Sequence, residues 1–180
     1  MSGHSKWSTI RHKKAAEDAK KGAAFTKVAK KIYIAVKQGK SGDVEKNPSL
    51  RMVVDEAKSV NMPNENIRKA IDRALGIGGS GEEFEVTYEG YIAGGVGVMV
   101  SVLTDNKNRT GGEIKLIFDR ARGSMSGPGS VAYLQQLVPR VLVDLTNESR
   151  EPVNEALAAF SEMDEVVNVW ANTEGYDKTI

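Results

Sequence analysis

The fold is decided by residues 76–103, GIGGSGEEFEVTYEGYIAGGVGVMVSVL, where the spacing of apolar residues changes from a helical pattern to a strand pattern. The four glycines between residues 76 and 81 are typical of a flexible break. Residues 84–89 then alternate between apolar and polar side chains, which predicts a strand. Ala93-Gly94-Gly95 predicts a turn, and the apolar, β-branched run from Val96 to Leu103 predicts a second, buried strand. The sequence therefore predicts two modules that meet near residue 78.

The residues before this break predict three helices. A first helix from about Ala15 to Gln38 has an apolar face made of Phe25, Val28, Ala29, Ile32 and Val36. Asn47-Pro48 and Pro63 each open a further apolar stripe, because proline is tolerated in the first turn of a helix. We therefore expect a three-helix module over residues 15–78. Residues 1–14 have no apolar period, and we expect them to form an extended or mobile basic arm.

The residues after the break predict an α+β domain over residues 79–180. A helix is predicted from Thr110 to Arg122, followed by a mobile glycine-rich connector at residues 123–129 and a strand at Val141-Leu142-Val143. Thr146 or Asn147 caps a second helix, and residues 166–170 form a closing strand. The order β-β-α-β-α-β predicts one antiparallel or mixed sheet with two helices packed on one face.

The charge of the chain is divided unequally between the two modules. Residues 1–80 contain 17 Lys and Arg against 8 Asp and Glu, a net charge of +9. Residues 81–180 contain 8 against 16, a net charge of −8. A basic half indicates a module that faces a polyanion. The alternative is a chance segregation of solvated surface charge.

Several classes of function are disfavoured by the composition. The chain has no cysteine, which excludes disulfides, thiolate metal sites and cysteine nucleophiles. Its two histidines, His4 and His12, are too few for a metal or catalytic centre, so we expect no enzyme activity, metal or cofactor. Gly94-Gly95-Val96-Gly97 lies between two strands and predicts a hairpin rather than a nucleotide loop. No apolar run is long enough to span a membrane and no signal peptide is visible, so a cytoplasmic protein is expected.

Nucleic-acid contacts are predicted on the basic arm and the first helix. Lysine outnumbers arginine there, which favours contact with phosphates over reading of bases. Trp7 can stack on an exposed base and His12 can hydrogen-bond phosphate, although Trp7 can equally pack on its own module. The cations in this stretch are Lys6, Arg11, Lys13, Lys14, Lys20, Lys21, Lys27, Lys30 and Lys31.

Lys107 and Arg109 are second-rank candidates because they lie at the predicted start of a helix, where backbone N–H groups attract anions. The alternative is a polar loop in which Asp105 or Asn108 caps the helix.

Long strings across the chain resemble the YebC/PmpR family. They include MSGHSKWSTIRHKKAAEDAK at residues 1–20, NMPNENI at residues 61–67, LTDNKNRT at residues 103–110 and MDEVVNVW at residues 163–170. Shorter strings, Phe25-Thr26-Lys27 and Tyr88-Glu89-Gly90-Tyr91, agree. Residues 129–134 resemble the entry to an additional domain of the family and residues 137–139 its exit, so the inserted domain is expected to be missing.

The resemblance implies a DNA-binding transcriptional regulator. It also leaves open a ribosome-associated translation factor that binds RNA and relieves stalled synthesis, because the family includes a mitochondrial translational activator of cytochrome c oxidase subunit I. The expected partner is DNA or RNA, including the ribosome, and not a membrane. The oligomeric state stays open, with a monomer favoured.

Overall fold

The computed structural model describes residues 3–79, 81–135 and 142–174, without the side chains of residues 3–13, 15–17 and 19. The chain divides into two compact units, Met1–Ser80 and Gly81–Ile180. Each unit has its own core and is described by itself.

The first unit is a three-helix module. Its helices are α1 (Gly3–Gly39), α2 (Pro48–Ser59) and α3 (Asn64–Ala74), and both α2 and α3 pack against α1. Each helix directs small and aliphatic side chains into the core, as the apolar stripes predict. The buried residues include Val28, Ile32 and Val36 of α1, Leu50, Val54 and Ala57 of α2, and Ile67, Ala70 and Ala74 of α3.

Asn47 joins the end of α1 to the start of α2. Its side-chain oxygen accepts a hydrogen bond from Leu50 N at 3.1 Å, which caps α2. Its amide nitrogen donates to Ala35 O at 2.9 Å and to Ser41 O at 3.0 Å. Asn47 is buried, and these three bonds satisfy its side chain while they fix the turn between the two helices.

The first helix is longer than the sequence predicts. An extended or mobile arm was expected for residues 1–14, and this is wrong, because α1 is helical from Gly3. The apolar period used to detect a helix reports burial against a core, and a helix without such contact has no need of it. Ala and Lys are good helix formers, and residues 13–21, KKAAEDAKK, favour a helix without any apolar stripe.

The second unit is an antiparallel sheet with two helices. The strands are β1 (Phe84–Ile92), β2 (Val96–Thr104), β3 (Ser124–Ser126) and β4 (Val166–Ala171), in the order β3-β1-β2-β4. All three strand pairings are antiparallel. The helices are α4 (Lys107–Arg120) and α5 (Asn147–Glu162). The predicted α+β class is confirmed. The sequence left open an antiparallel or a mixed sheet, and the sheet is antiparallel.

The main core of the second unit lies between the sheet and the two helices. Val98, Val100 and Val102 of β2 are fully buried and belong to the same cluster as Phe118 of α4 and Phe160 of α5. The two phenylalanine rings pack at a centroid distance of 5.1 Å with a tilt of 55°, a favourable aromatic geometry. On the opposite face, a smaller cluster is formed by Met99, Val131 and Leu134.

The third strand of the sheet is not the one that the sequence predicts. Leu142 and Val143 are in no regular element, although Val143 N donates to Asn172 O at 2.7 Å, and Val141 lies outside the described residues. The strand is instead β3, inside the segment predicted as a mobile connector. A strand of three residues, such as β3, is too short to show an alternating pattern in the sequence. The apolar Val141-Leu142-Val143 run has a high strand propensity, but propensity alone does not supply a neighbouring strand for it to pair with. Thr146 caps α5, as predicted.

Candidate nucleic-acid interface

The described side chains of α1 between Lys14 and Ala23 form a solvent-exposed segment with three lysines. The first buried residue among the described side chains of α1 is Val28, and the four consecutive residues 20–23 are all exposed. Four residues are more than one turn of 3.6, so the helix is exposed on every side at this level. Asp18 and Lys14, about one and about two turns earlier, are also exposed. The described part of this segment therefore extends beyond the core formed with α2 and α3.

The exposed lysines occupy two sides of this helix. Lys20 and Lys21 are separated by about 100° around the axis, whereas Lys14 lies seven residues before Lys21 and thus on nearly the same side. No ion pair joins any of the three to another described side chain, and Asp18 is the one carboxylate among the described side chains of residues 14–23. We call Lys14, Lys20 and Lys21 the exposed lysine set; all three side chains are accessible from solvent.

The other predicted cations of α1 are more involved in the fold. Lys31 Nζ lies 2.8 Å from Glu56 Oε1 of α2, and the two side chains retain only 13% and 34% of their exposure. This ion pair joins α1 to α2, so the charge of Lys31 is already engaged. Lys27 and Lys30 are half-buried and also have interaction partners. These three lysines are less suited to phosphate contact than the exposed lysine set.

Five further predicted contacts lie outside the described side chains. Lys6, Trp7, Arg11, His12 and Lys13 belong to the helical backbone of α1, and their roles stay predictions.

The two candidates of the second unit are held by intramolecular contacts. Arg109 Nη2 donates to Asp105 Oδ1 at 2.8 Å and to Glu165 Oε1 at 3.2 Å. The hydrogen bond and the charge of Asp105, followed by those of Glu165, raise the pKa of Arg109. Lys107 Nζ lies 4.3 Å from the centroid of the Phe84 ring, which is within cation–π distance. The helix cap is Asn106, which accepts from Arg109 N at 3.1 Å, rather than Asp105 or Asn108. Lys107 and Arg109 thus lie in the first turn of α4 and not in a loop, and their contact with nucleic acid stays a prediction.

Three exposed lysines of the first unit outside α1 are matched by carboxylates. Lys46, Lys58 and Lys69 pair with residues three or four positions away, and all three are well exposed. Such pairs contribute little to stability but neutralise the local surface. The contrast with the exposed lysine set shows that positive charge is concentrated on α1.

Among the described residues, no group of three or more His, Asp or Glu side chains is placed to hold a metal ion. Gly94 and Gly95 have φ of 74° and 77° and connect β1 to the antiparallel β2, as the hairpin interpretation predicts. In the part of the chain that the structure describes, no helix combines the length and apolar character needed to cross a membrane.

Comparisons with known proteins place both units in one family. Residues 5–77 match the sequence model of the TACO1/YebC protein N-terminal domain, and residues 84–136 match that of the TACO1/YebC second and third domain. A Rubrobacter xylanophilus protein named probable transcriptional regulatory protein is 50% identical over 157 residues. A Borreliella afzelii protein of the same name is 43% identical over 185 residues, which include 100% of this chain and 76% of the relative.

The lengths and the solved structures add two further facts. The match to the Rubrobacter protein includes 87% of this chain but 62% of that relative, so the chain spans about three fifths of its length. The match to the second and third domain ends at residue 136, between the predicted entry and exit of the inserted domain. The crystal structure of a conserved hypothetical protein from Aquifex aeolicus is similar, with a TM-score of 0.76 and 28% sequence identity. That similarity covers 87% of this chain and 91% of the other.

Proposed function

Since the chain belongs to the TACO1/YebC family, we propose that it is a nucleic-acid-binding regulator of gene expression, with duplex DNA as its target. The printed name of its relatives, probable transcriptional regulatory protein, supports the regulatory role. The binding role rests on one observation, which is the exposed lysine set on a helix that extends beyond its own core.

The geometry of α1 supports contact with the phosphate backbone. An α-helix with its side chains is about 10–12 Å wide, and the major groove of B-DNA is about 12 Å wide. A helix in that groove has a phosphate strand on either side, and the exposed lysine set places cations on two sides. Lysine is a flexible point charge, so it neutralises phosphate without the bidentate reading of guanine that arginine gives. Sequence preference would then come from DNA shape or from a partner protein.

The second unit is proposed to bind something other than nucleic acid. Its half of the sequence carries a net charge of −8, which disfavours a polyanion. Its two candidate cations are engaged with Asp105, Glu165 and Phe84. We propose that this unit docks to a protein partner while α1 holds the nucleic acid.

A second target is proposed on the same observation. A single helix that extends beyond its core can also enter a narrow channel in folded RNA that the three-helix core cannot enter. Lysine contacts to phosphate do not distinguish DNA from RNA. A ribosome-associated translation factor that relieves stalled synthesis is therefore the alternative function of the same helix.

The test removes the exposed lysine set and compares it with a matched control. The variant is K14A/K20A/K21A, and the control K46A/K58A/K69A removes three exposed lysines from the same unit away from α1. Each phosphate contact contributes about 0.9 to the slope of log K against log salt. The loss of three contacts should reduce the magnitude of this slope by about 2.7. A fourfold increase in salt concentration should then weaken binding of the variant by a factor about 40 times smaller than the factor for wild type.

The measurement is fluorescence anisotropy with a duplex DNA from about 50 to 200 mM salt, in parallel with co-sedimentation on ribosomal particles. Loss of slope in the α1 variant, with a control close to wild type, supports the proposal. Equal loss in both variants would show that only net charge matters and would refute a binding role specific to α1. Binding to ribosomal particles without binding to duplex DNA would assign the alternative function.

A further inference from the structure

A segment of the second unit crosses the sheet face that the two helices leave open. We call residues 127–135 the strap; it follows β3 and ends in a short 3-10 turn at Ala132–Gln135. Val131 and Leu134 of the strap are fully buried and pack on Met99 of β2, with Trp170 of β4 at the edge of the cluster. The strap thus forms a small second core on the face opposite α4 and α5.

A buried carboxylate holds the strap at its centre. Glu89 lies opposite Met99 in the antiparallel register of β1 and β2, and only 8% of it is exposed. Its Oε1 accepts from Gly129 N and its Oε2 accepts from Val131 N, both at 2.8 Å. Both carboxylate oxygens of Glu89 therefore accept hydrogen bonds from backbone N–H groups. Backbone amides that converge in this way suit an anion.

The strap backbone is shaped to present these two amides. Gly129 has φ of 89°, a left-handed conformation that residues with a side chain rarely adopt. Hydrogen bonds to a charged acceptor are about twice as strong as neutral ones, so this pair outweighs the other polar contacts of the strap.

Weaker contacts hold the strap on either side of Glu89. Tyr91 OH donates to Ser130 O at 2.9 Å, which joins the strap to β1 a second time. Asn172, just after β4, accepts from Gly97 N at 2.8 Å and donates to Tyr133 OH at 3.4 Å. Burial, together with the neighbouring Tyr91, raises the pKa of Tyr133. The strap is therefore held by β1 and by the end of β4.

We propose that Glu89 is a positioning residue that locks the strap over Met99 and Trp170, so that the strap opens locally when this one carboxylate is lost. The residues of this lock all belong to the second unit, so the proposal does not rest on the target proposed for α1. The strap contains the last described residues of the segment that matches the family's second and third domain. That match ends at residue 136.

The test replaces each of two carboxylates on the same side of β1. In E89Q, an amide NH₂ replaces one carboxylate oxygen and presents a donor to a backbone donor. In the control E85Q, the change is made at an exposed residue of the same strand. Hydrogen–deuterium exchange of the full chain is followed by mass spectrometry. We expect exchange in peptides covering residues 129–135 to be about 10- to 100-fold faster in E89Q, and unchanged in E85Q.

A second variant covers the case in which E89Q does not fold. Y91F removes the bond to Ser130 O and leaves the carboxylate in place, and it should accelerate exchange in the same peptides by a few-fold at most. Faster exchange in the strap with α4 and α5 unchanged supports the lock. Strap protection unchanged in E89Q, or a loss of protection spread equally over the whole unit in Y91F, would overturn it.

Discussion

The ion pair between Lys31 and Glu56 gives a test that separates a structural lysine from a binding lysine. Lys31 belongs to the lysine-rich helix predicted to contact phosphate, yet its ammonium lies 2.8 Å from a carboxylate of α2. We therefore expect K31A to destabilise the first unit and to leave the salt dependence of nucleic-acid binding almost unchanged.

The size of the effect follows from distance and burial. At 2.8 Å and an effective dielectric constant of about 20, the Coulomb attraction is about 6 kcal/mol before the loss of hydration is subtracted. Exposed pairs retain about 0–1 kcal/mol net, and hydrogen bonds to charged groups retain about 1.5–3 kcal/mol. Lys31 is 13% exposed but Glu56 is 34% exposed, so solvent screens the carboxylate in part. We expect a coupling free energy of about 1–2 kcal/mol between the two side chains.

The assay is a double-mutant cycle of K31A, E56A and K31A/E56A, with urea unfolding monitored for each protein. The salt slope of binding is measured for wild type and K31A, and should differ by much less than the value of about 0.9 for one phosphate contact. A coupling energy near zero, together with a slope reduced by a full contact, would refute the structural assignment of Lys31.

Two further predictions concern glycine positions and alkaline pH. G112A should stabilise the chain by about 0.5–1 kcal/mol, because a methyl group there meets no atom within 4 Å and alanine favours the helix. G90A should destabilise it by about 1–3 kcal/mol, because its Cβ would lie 2.4 Å from Ser124 O, and urea unfolding of both variants checks the opposite signs. The raised pKa of Tyr133 means that the folded state holds its phenolic proton to higher pH than the unfolded state, whose value is 10.0. Its contribution to the unfolding free energy is therefore complete below pH 10 and falls as the pH rises above it. Y133F should lessen that alkaline fall, and an identical pH profile for wild type and Y133F would contradict this.

Local sequence signals predicted the elements that depend on local interactions. The prolines at residues 48 and 63 correctly marked the starts of α2 and α3, because the loss of an N–H is tolerated there. The alternation before Gly90 and the β-branched run after Val96 correctly gave the β1–β2 hairpin. The family resemblance, drawn from strings across the chain, is confirmed by matches over both units.

The features that the sequence could not predict depend on residues far apart in the chain. The alternation along β1 places Glu89 on the polar face, where solvent is the natural expectation. The strap that covers it lies forty residues later, and nothing in the glycine-rich segment indicates where it will pack. Lys31 similarly lies off the apolar face of α1, and its partner Glu56 is supplied by the next helix.

The N-terminal part of α1 was missed for a different reason. Its sequence has no apolar stripe, so a method based on burial assigns no structure to it, although Ala and Lys favour a helix. The basic charge was correctly placed along the sequence, but its presentation on two sides of a helix depends on α1 extending past α2 and α3.

Ultraviolet crosslinking to a duplex DNA or an RNA, followed by mass spectrometry of the attached peptides, tests the central claim most directly. Cleavage after glutamate separates residues 1–17 and 18–45 from every peptide of the second unit. The account predicts that crosslinked nucleotides are found on these two peptides and become scarce in K14A/K20A/K21A. Crosslinks confined to residues 81–180, and unaffected by those three substitutions, would contradict it.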